Sequence, residues 1–265
     1  VPWAKEQMWA PDANEKDGTY YLFFPAKAHD GIFRIGVATS NSPIGPFKAQ
    51  PEAIKGSFSI DPAVFKDDDG SYYMYFGGLW GGQLQRWRTG EFNAEEPDSP
   101  TAFLPEANES ALLPFVAKMT DDLLEFDQKP REIEIVDENG NLLLAGDNER
   151  RFFEAAWCHK YNGKYYLSWG CFYAMSDNLY GPYNYKDSVI KEDSFTEGYD
   201  APTWPNGFLQ GRHGSFFEWH NQWYFAYCDI SQTGNRYFRD TFISYVHCKK
   251  NGEMALIRVD GIGVG

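Results

Sequence analysis

One hairpin pattern recurs four times along this 265-residue chain, and it restricts the fold more than any other feature. In its fullest copy, residues 152–161 read as a strand, Asn162-Gly163 as the turn and residues 164–169 as the returning strand. Asn-Gly is a strong hairpin signal because both residues tolerate positive φ. Residues 61–76 repeat the layout, residues 12–24 form a shorter copy, and residues 213–227 form the fourth. The equivalent tyrosines Tyr21, Tyr73, Tyr166 and Tyr224 stand 52, 93 and 58 residues apart. Two intervals fit one repeat of medium length. The long one fits the same repeat with an insertion, placed at about residues 79–148. Such a period predicts an all-β propeller with one sheet per repeat, in a single domain over residues 1–265.

The head of each repeat carries a different polar residue: Asp12, Asp61, Glu154 and His213. Asp61 and Glu154 each precede their tyrosine by 12 residues, and His213 precedes Tyr224 by 11. Inner strands of a propeller begin near its axis, so equivalent heads are expected to converge. A purely structural repeat would keep one residue type there, and the differing types favour a site. Glu154 lies between Phe153 and Ala155. An acid among apolar neighbours is expected to hold its proton more tightly, as a proton donor needs. Asp61 precedes Pro62, whose fixed φ stiffens the entry to the next strand. Two carboxylates on successive repeats suggest glycoside hydrolysis.

Composition narrows the partners. Aromatics make up 18% of the chain, which suits β-structure and also the apolar faces of sugar rings. A net charge of −14 argues against nucleic acid and anionic membranes. No apolar run approaches the ~20 residues of a membrane span, and no leader sequence is visible. The compartment is left open among secreted, periplasmic and cytoplasmic. Cys158, Cys171, Cys228 and Cys248 form no C-x-x-C pair, so they read as buried thiols rather than zinc ligands.

Outside the hairpins, residues 1–8 read as a polar entry segment and residues 32–40 as a third strand. Gly45-Pro46-Phe47 and Gly181-Pro182-Tyr183 mark turns into outer strands. Gly78, Gly81 and Gly82, with Trp80 and Trp87, suggest a loop at the pocket rim. Residues 112–127 are compatible with a helix or a strand, and residues 131–144 alternate like strands. Residues 186–211 read as an irregular connection, residues 241–248 as a strand, and residues 254–259 as the last strand.

Trp9-Ala-Pro-Asp12, Ser59-Ile-Asp-Pro62, Phe152-Phe-Glu-Ala155 and Arg212-His-Gly-Ser215, in this order on such hairpins, resemble glycoside hydrolase family 43. The run from Ser40 to Phe47 fits as well. The resemblance covers essentially the whole chain. It implies a five-bladed β-propeller and inverting hydrolysis of xylose- or arabinose-containing polysaccharides. By its pattern Glu154 is the general acid, and Asp61 orients that acid and raises its pKa. Trp9 is an aromatic wall of the sugar subsite, placed with Phe153, Asp12 and Arg239 among the substrate-binding residues. Asp12 supports the site rather than serving as base. His213 matches a histidine that in many members lies by a structural calcium or other ion; the chemistry itself requires no cofactor.

The resemblance also places a catalytic base in an Asp-Pro motif one blade before Trp9. This sequence has a single Asp-Pro, at Asp61-Pro62. Blades two to five are therefore expected here, with the base-bearing N-terminal blade preceding Val1 and this chain nearly inactive alone. The expected partner is an oligo- or polysaccharide, met by an exo-acting β-xylosidase or α-L-arabinofuranosidase. An endo-arabinanase or endo-xylanase, or a non-catalytic sugar-binding propeller, are the alternatives.

Overall fold

The structure is a computed structural model that describes residues 1–196, 213–229, 238–260 and 262–264. Within it the chain packs as two compact units, one of residues 1–135 and 141–156, the other of residues 136–140 and 157–265. Every described regular element is a strand or a short 3-10 turn.

The first unit holds two sheets. In one, Ala4–Glu6 (β1) and Asp12–Lys16 (β2) share a single edge of the long strand Thr19–Ala28 (β3). Phe33–Ser40 (β4) and Lys48–Ala49 (β5) complete it on the other side. The segment expected as a polar entry is thus a strand. Trp3 stacks on Phe24 at 6.0 Å, and that apolar contact draws the segment onto the sheet. The second sheet runs Ala63–Lys66 (β6), Tyr72–Phe76 (β7), Phe115–Lys118 (β8) and Arg131–Glu132 (β9), in that order.

The long interval between Tyr73 and Tyr166 therefore contains more than an insertion. Residues 115–118 pair with β7 and form a strand, so the ambiguity over residues 112–127 resolves to β. The added length lies before it, in two 3-10 turns (Trp80–Gly82 and Leu84–Trp87) and an exposed loop. An aromatic cluster fixes this arrangement. Phe58 meets Phe76 and Phe115 edge-on at 5.2 and 4.9 Å and stacks on Trp87 at 4.7 Å. Trp87 is therefore a packing residue, unlike Trp80, which is exposed.

A third sheet comprises Ile135–Val136 (β10), Ala156–Tyr161 (β11), Lys164–Trp169 (β12), Phe172–Ser176 (β13) and Tyr183–Ser188 (β14), ordered β10-β14-β13-β12-β11, and all of it but Ile135 and Ala156 belongs to the second unit. Gly214–Trp219 (β15), Gln222–Asp229 (β16) and Asp240–Val246 (β17) form its other sheet. All four hairpin turns have the backbone expected of them. Asp17-Gly18, Gly70, Asn162-Gly163 and His220-Asn221 adopt positive φ. The strand expected to start at Phe152 begins instead at Ala156, because Ala155 has a φ of 64° and breaks the extended run. Residues 254–259 make isolated bridges rather than the expected strand: Met254 to Cys248, and Val259 to Phe195. All four cysteines are free thiols, two of them buried and two half-buried. Arg212 and most of the connection expected over residues 186–211 lie outside the described residues.

The core of this unit is aromatic and encloses one histidine. His159 stacks between Tyr166, Phe216 and Trp223 at 4.8, 5.1 and 4.8 Å. Its Nδ1 has no hydrogen-bond partner among the described residues. Burial pushes this imidazole down to about 3, so it stays neutral when folded. The unfolded chain takes up a proton near the ordinary value of about 6.5. Stability from this group is therefore intact above about pH 6.5 and is lost toward pH 3, by up to about 1.4 kcal/mol per pH unit. His159→Phe is expected to flatten the fall in melting temperature between pH 6.5 and 4. Equal slopes in variant and wild type would show that His159 does not drive the acid sensitivity.

Candidate active site

Three of the four hairpin heads lie in the first unit, and backbone-to-carboxylate bonds tie them together. Asp61 is buried, at 4% exposure, and its Oδ2 accepts a hydrogen bond from the backbone N–H of Ala155 at 3.0 Å. Ala155 directly follows Glu154. The carboxylate of one hairpin thus holds the peptide that carries the acid of the next. Leaving such a buried amide unpaired costs about 1–3 kcal/mol. Ser59, Asp61 and Ala155 all have positive φ, at 62°, 58° and 64°. Non-glycine residues avoid that region, and such strain persists where the surroundings over-determine it, often at functional sites.

Ser59 supplies part of that constraint. Its fully buried hydroxyl accepts from Gly78 N at 3.0 Å and donates to Gly82 O at 2.7 Å. Gly77 N donates to Ile60 O, and Leu79 N donates to Phe153 O. The glycine-rich loop is thereby hung between both hairpin heads. The glycines are there for space. A Cβ on Gly78 would stand 2.6 Å from Ile60 Cγ1 and 3.3 Å from Glu154 Cβ, and one on Gly82 would stand 2.7 Å from Ile60. Ile60 is wedged between them, with Glu154 against Gly78.

Aromatic rings border the same loop. Trp9 is 40% exposed, packs on Phe33 at 4.7 Å, and would touch a Cβ on Gly81 at 3.1 Å. Gln83 holds Phe33 from the loop side, accepting from Phe33 N and donating to Gly31 O, each at 2.9 Å. Phe153 meets Trp80 edge-on at 5.0 Å. Arg151 fixes the approach to Glu154, donating to Ala145 O, Phe152 O and Asn148 Oδ1. Asp12 carries an enclosed carboxyl whose Oδ2 accepts from Val64 N at 2.7 Å. Burial pushes it up to about 7, against the opposing pull of the Val64 and Ala13 amides.

Glu154, Trp9 and Phe153 thus border one loop of the first unit, Asp61 holds the peptide that follows Glu154, and Asp12 lies apart from the loop, at Val64 on β6. His213 and Arg239 belong to the second unit: His213 precedes β15 and Arg239 precedes β17. Among the described residues, no three His, Cys, Asp or Glu side chains gather in a way that would hold a metal ion. A lone histidine does not make a calcium shell, since calcium takes six to eight oxygen ligands. Ser59 stands in the Ser59-Ile-Asp-Pro62 motif without a role of its own, and no motif includes Gln83 or Arg151. Their contribution is mainly a set of bonds to backbone atoms, which no motif spacing encodes; Ser59 lies two residues before Asp61 and Arg151 three before Glu154.

Comparison with known proteins follows the same lines. The sequence profile described as glycosyl hydrolases family 43 matches residues 1–254. A xylosidase/arabinosidase of Bacteroides ovatus is 52% identical over 72% of this chain, a match that spans 58% of that protein's length. Xylosidase/arabinosidase 43A of Humicola insolens is 45% identical over 96% of this chain and 76% of its own length. Among solved structures, a β-xylosidase/α-arabinofuranosidase from a compost metagenome is 48% identical. It was solved in a calcium-free form with xylotriose, and superposes with a TM-score of 0.85 over 97% of this chain and 76% of its own. At that similarity the fold is shared, and the sheets are blades of a β-propeller, as the hairpin period predicted.

The tight seat of Glu154 makes a direct test available. Gly78→Ala is expected to cost about 1–3 kcal/mol through overpacking against Ile60. It is also expected to displace Glu154 and depress whatever activity that acid supports. A melting temperature and activity equal to wild type would show that the seat has room to spare.

Proposed function

The chain belongs to glycosyl hydrolases family 43, and from that premise we propose that it acts in the exo-hydrolysis of β-xylosides and α-L-arabinofuranosides from hemicellulose. The observation that carries this reading is the bond from Ala155 N to Asp61 Oδ2, which couples the two carboxylates the chemistry needs. The names of the relatives at 45% and 52% identity support the same pair of sugars.

In this reading the half-buried Glu154 donates a proton to the departing glycosidic oxygen as the bond to the anomeric carbon breaks. Asp61 keeps the peptide of Glu154 in register and holds negative charge nearby, which keeps the acid protonated until it is used. Trp9 offers an apolar face to the sugar, and Phe153 with Trp80 lines the approach. Water forms the new bond from the opposite side, which inverts the anomeric centre. The carboxylate that takes the proton from that water is not assigned to a residue of this sequence, because Asp12 is engaged with Val64. Arg239 is proposed to touch sugar hydroxyls.

The ion expected beside His213 takes no part in these steps. We propose it as a structural calcium, held largely through water. An unchanged melting temperature after exhaustive chelation would count against it.

The test of the function is a chromogenic assay on the full-length gene product. It is expected to release aryl groups from both β-xyloside and α-L-arabinofuranoside. Glu154→Gln should lose nearly all turnover of xylobiose, whose leaving group needs protonation, while keeping far more on an aryl glycoside with an acidic leaving group. Equal losses on the two substrates would remove Glu154 from the acid role, and inactivity of the wild type on both sugars would sink the reading.

A further inference from the structure

Two side chains on β2 do for β6 what a neighbouring strand would do. β6 is the edge strand of its sheet, and its ladder with β7 alternates. Asp67 N donates to Ser71 O, which marks that facing pair as hydrogen-bonded. Counting back along the ladder, Ala63 and Phe65 face β7 with their peptide groups, and Val64 turns its N–H and C=O outward. Both outward groups are taken. Val64 N donates to Asp12 Oδ2 at 2.7 Å, and Asn14 Nδ2 donates to Val64 O at 2.8 Å. Asp12 and Asn14 are two residues apart on a strand and so point to the same face. Together they present an acceptor and a donor at the spacing of the outward N–H and C=O of one strand residue.

Val64 lies three residues after Asp61, with the rigid Pro62 between. Upstream, Ser59 and Ile60 are already tied to the glycine loop. Asp61 is therefore held from both sides, and Val64 is the downstream anchor. We propose that Asp12 and Asn14 are positioning residues that clamp the Val64 peptide and thereby set the Asp61 carboxylate against the amide of Ala155. Neither touches the substrate in this role. The clamp is a property of the structure, and its catalytic consequence rests on the function proposed above.

Two further features agree with a clamp. Asn14 is half-buried in a strand that otherwise alternates with exposed residues, and a buried amide needs its partner. The enclosed Asp12 carboxyl, pushed up to about 7, pays the cost of burial at a place where a surface aspartate would not.

The test reads backbone amide exchange at Val64 and Ala155, with Leu167 as a remote control, in the full-length protein. Asp12→Ala and Asn14→Leu are expected to speed exchange at both Val64 and Ala155 by about tenfold, the factor equivalent to 1.4 kcal/mol, and to leave Leu167 unchanged. Asp12→Asn keeps an acceptor oxygen and is expected to restore most of the protection at Ala155. Asn14→Leu keeps the branching at Cγ and carries the test if Asp12→Ala fails to fold. Faster exchange at Val64 with none at Ala155 overturns the proposal, as does Asp12→Asn behaving like Asp12→Ala. In the kinetic arm, both disruptive variants should lower kcat about tenfold with KM within about twofold, as expected when transition-state geometry alone is disturbed. Wild-type kcat in either folded variant also overturns it. An inactive wild type would instead overturn the function, while the exchange arm would still decide the clamp.

Discussion

The bond from Ala155 N to Asp61 Oδ2 is the interaction on which the candidate site depends. It joins residues 94 positions apart, and both ends sit in a backbone conformation that neither residue type favours. Asp61 at a φ of 58° aims its carboxylate at the next hairpin, and Ala155 at 64° turns its N–H to meet it. Relaxing either residue to an extended conformation would break the bond and let β11 start earlier, as its sequence suggests. The strand is shortened to build the site.

The glycine loop shows the same exchange of regularity for position. Gly78 and Gly82 leave the volume that Ile60 fills, and Gly81 lets the loop approach the Trp9 ring. Ser59 satisfies the loop's backbone from within, where no water would reach it. Aromatic packing beneath the loop, around Phe58 and Trp87, makes this arrangement rigid rather than one of many. Trp80 and Trp87 are seven residues apart and identical in type, yet one is exposed beside Phe153 and the other packs inward. Their separation by two 3-10 turns decides that difference.

Much of the fold was legible in the residues. The hairpin copies appear with their turns in place, since Asn162-Gly163 and its equivalents carry a local signal that needs no tertiary help. Strand β12 has the bounds expected of the strand returning from the Asn162-Gly163 turn. The heads Asp61, Glu154 and His213 could be matched by spacing because a repeated scaffold repeats its offsets. Short pieces were less sharply marked: β9 and β10 fall within residues 131–144, where alternation suggests strands, while β8 lies in a segment compatible with helix or strand and β1 in one that reads as a polar entry. β1 and β8 have three and four residues and each pairs along the edge of a longer strand, β3 and β7. Residues 254–259 have the composition of a strand, and yet they make single bridges.

The sequence by itself determined the all-β class, the repeat and the placement of its four polar heads, because turn chemistry, alternation and motif order are local properties. The tertiary structure alone decided how those heads are held. The Asp61 to Ala155 bond, the Ser59 hub, the Gln83 bridge and the Val64 clamp each join a side chain to a backbone atom of another segment. Backbone groups are the same at every residue, so no pattern of side chains marks which of them will be met. Only the packing of one sheet edge against another brings donor and acceptor within reach.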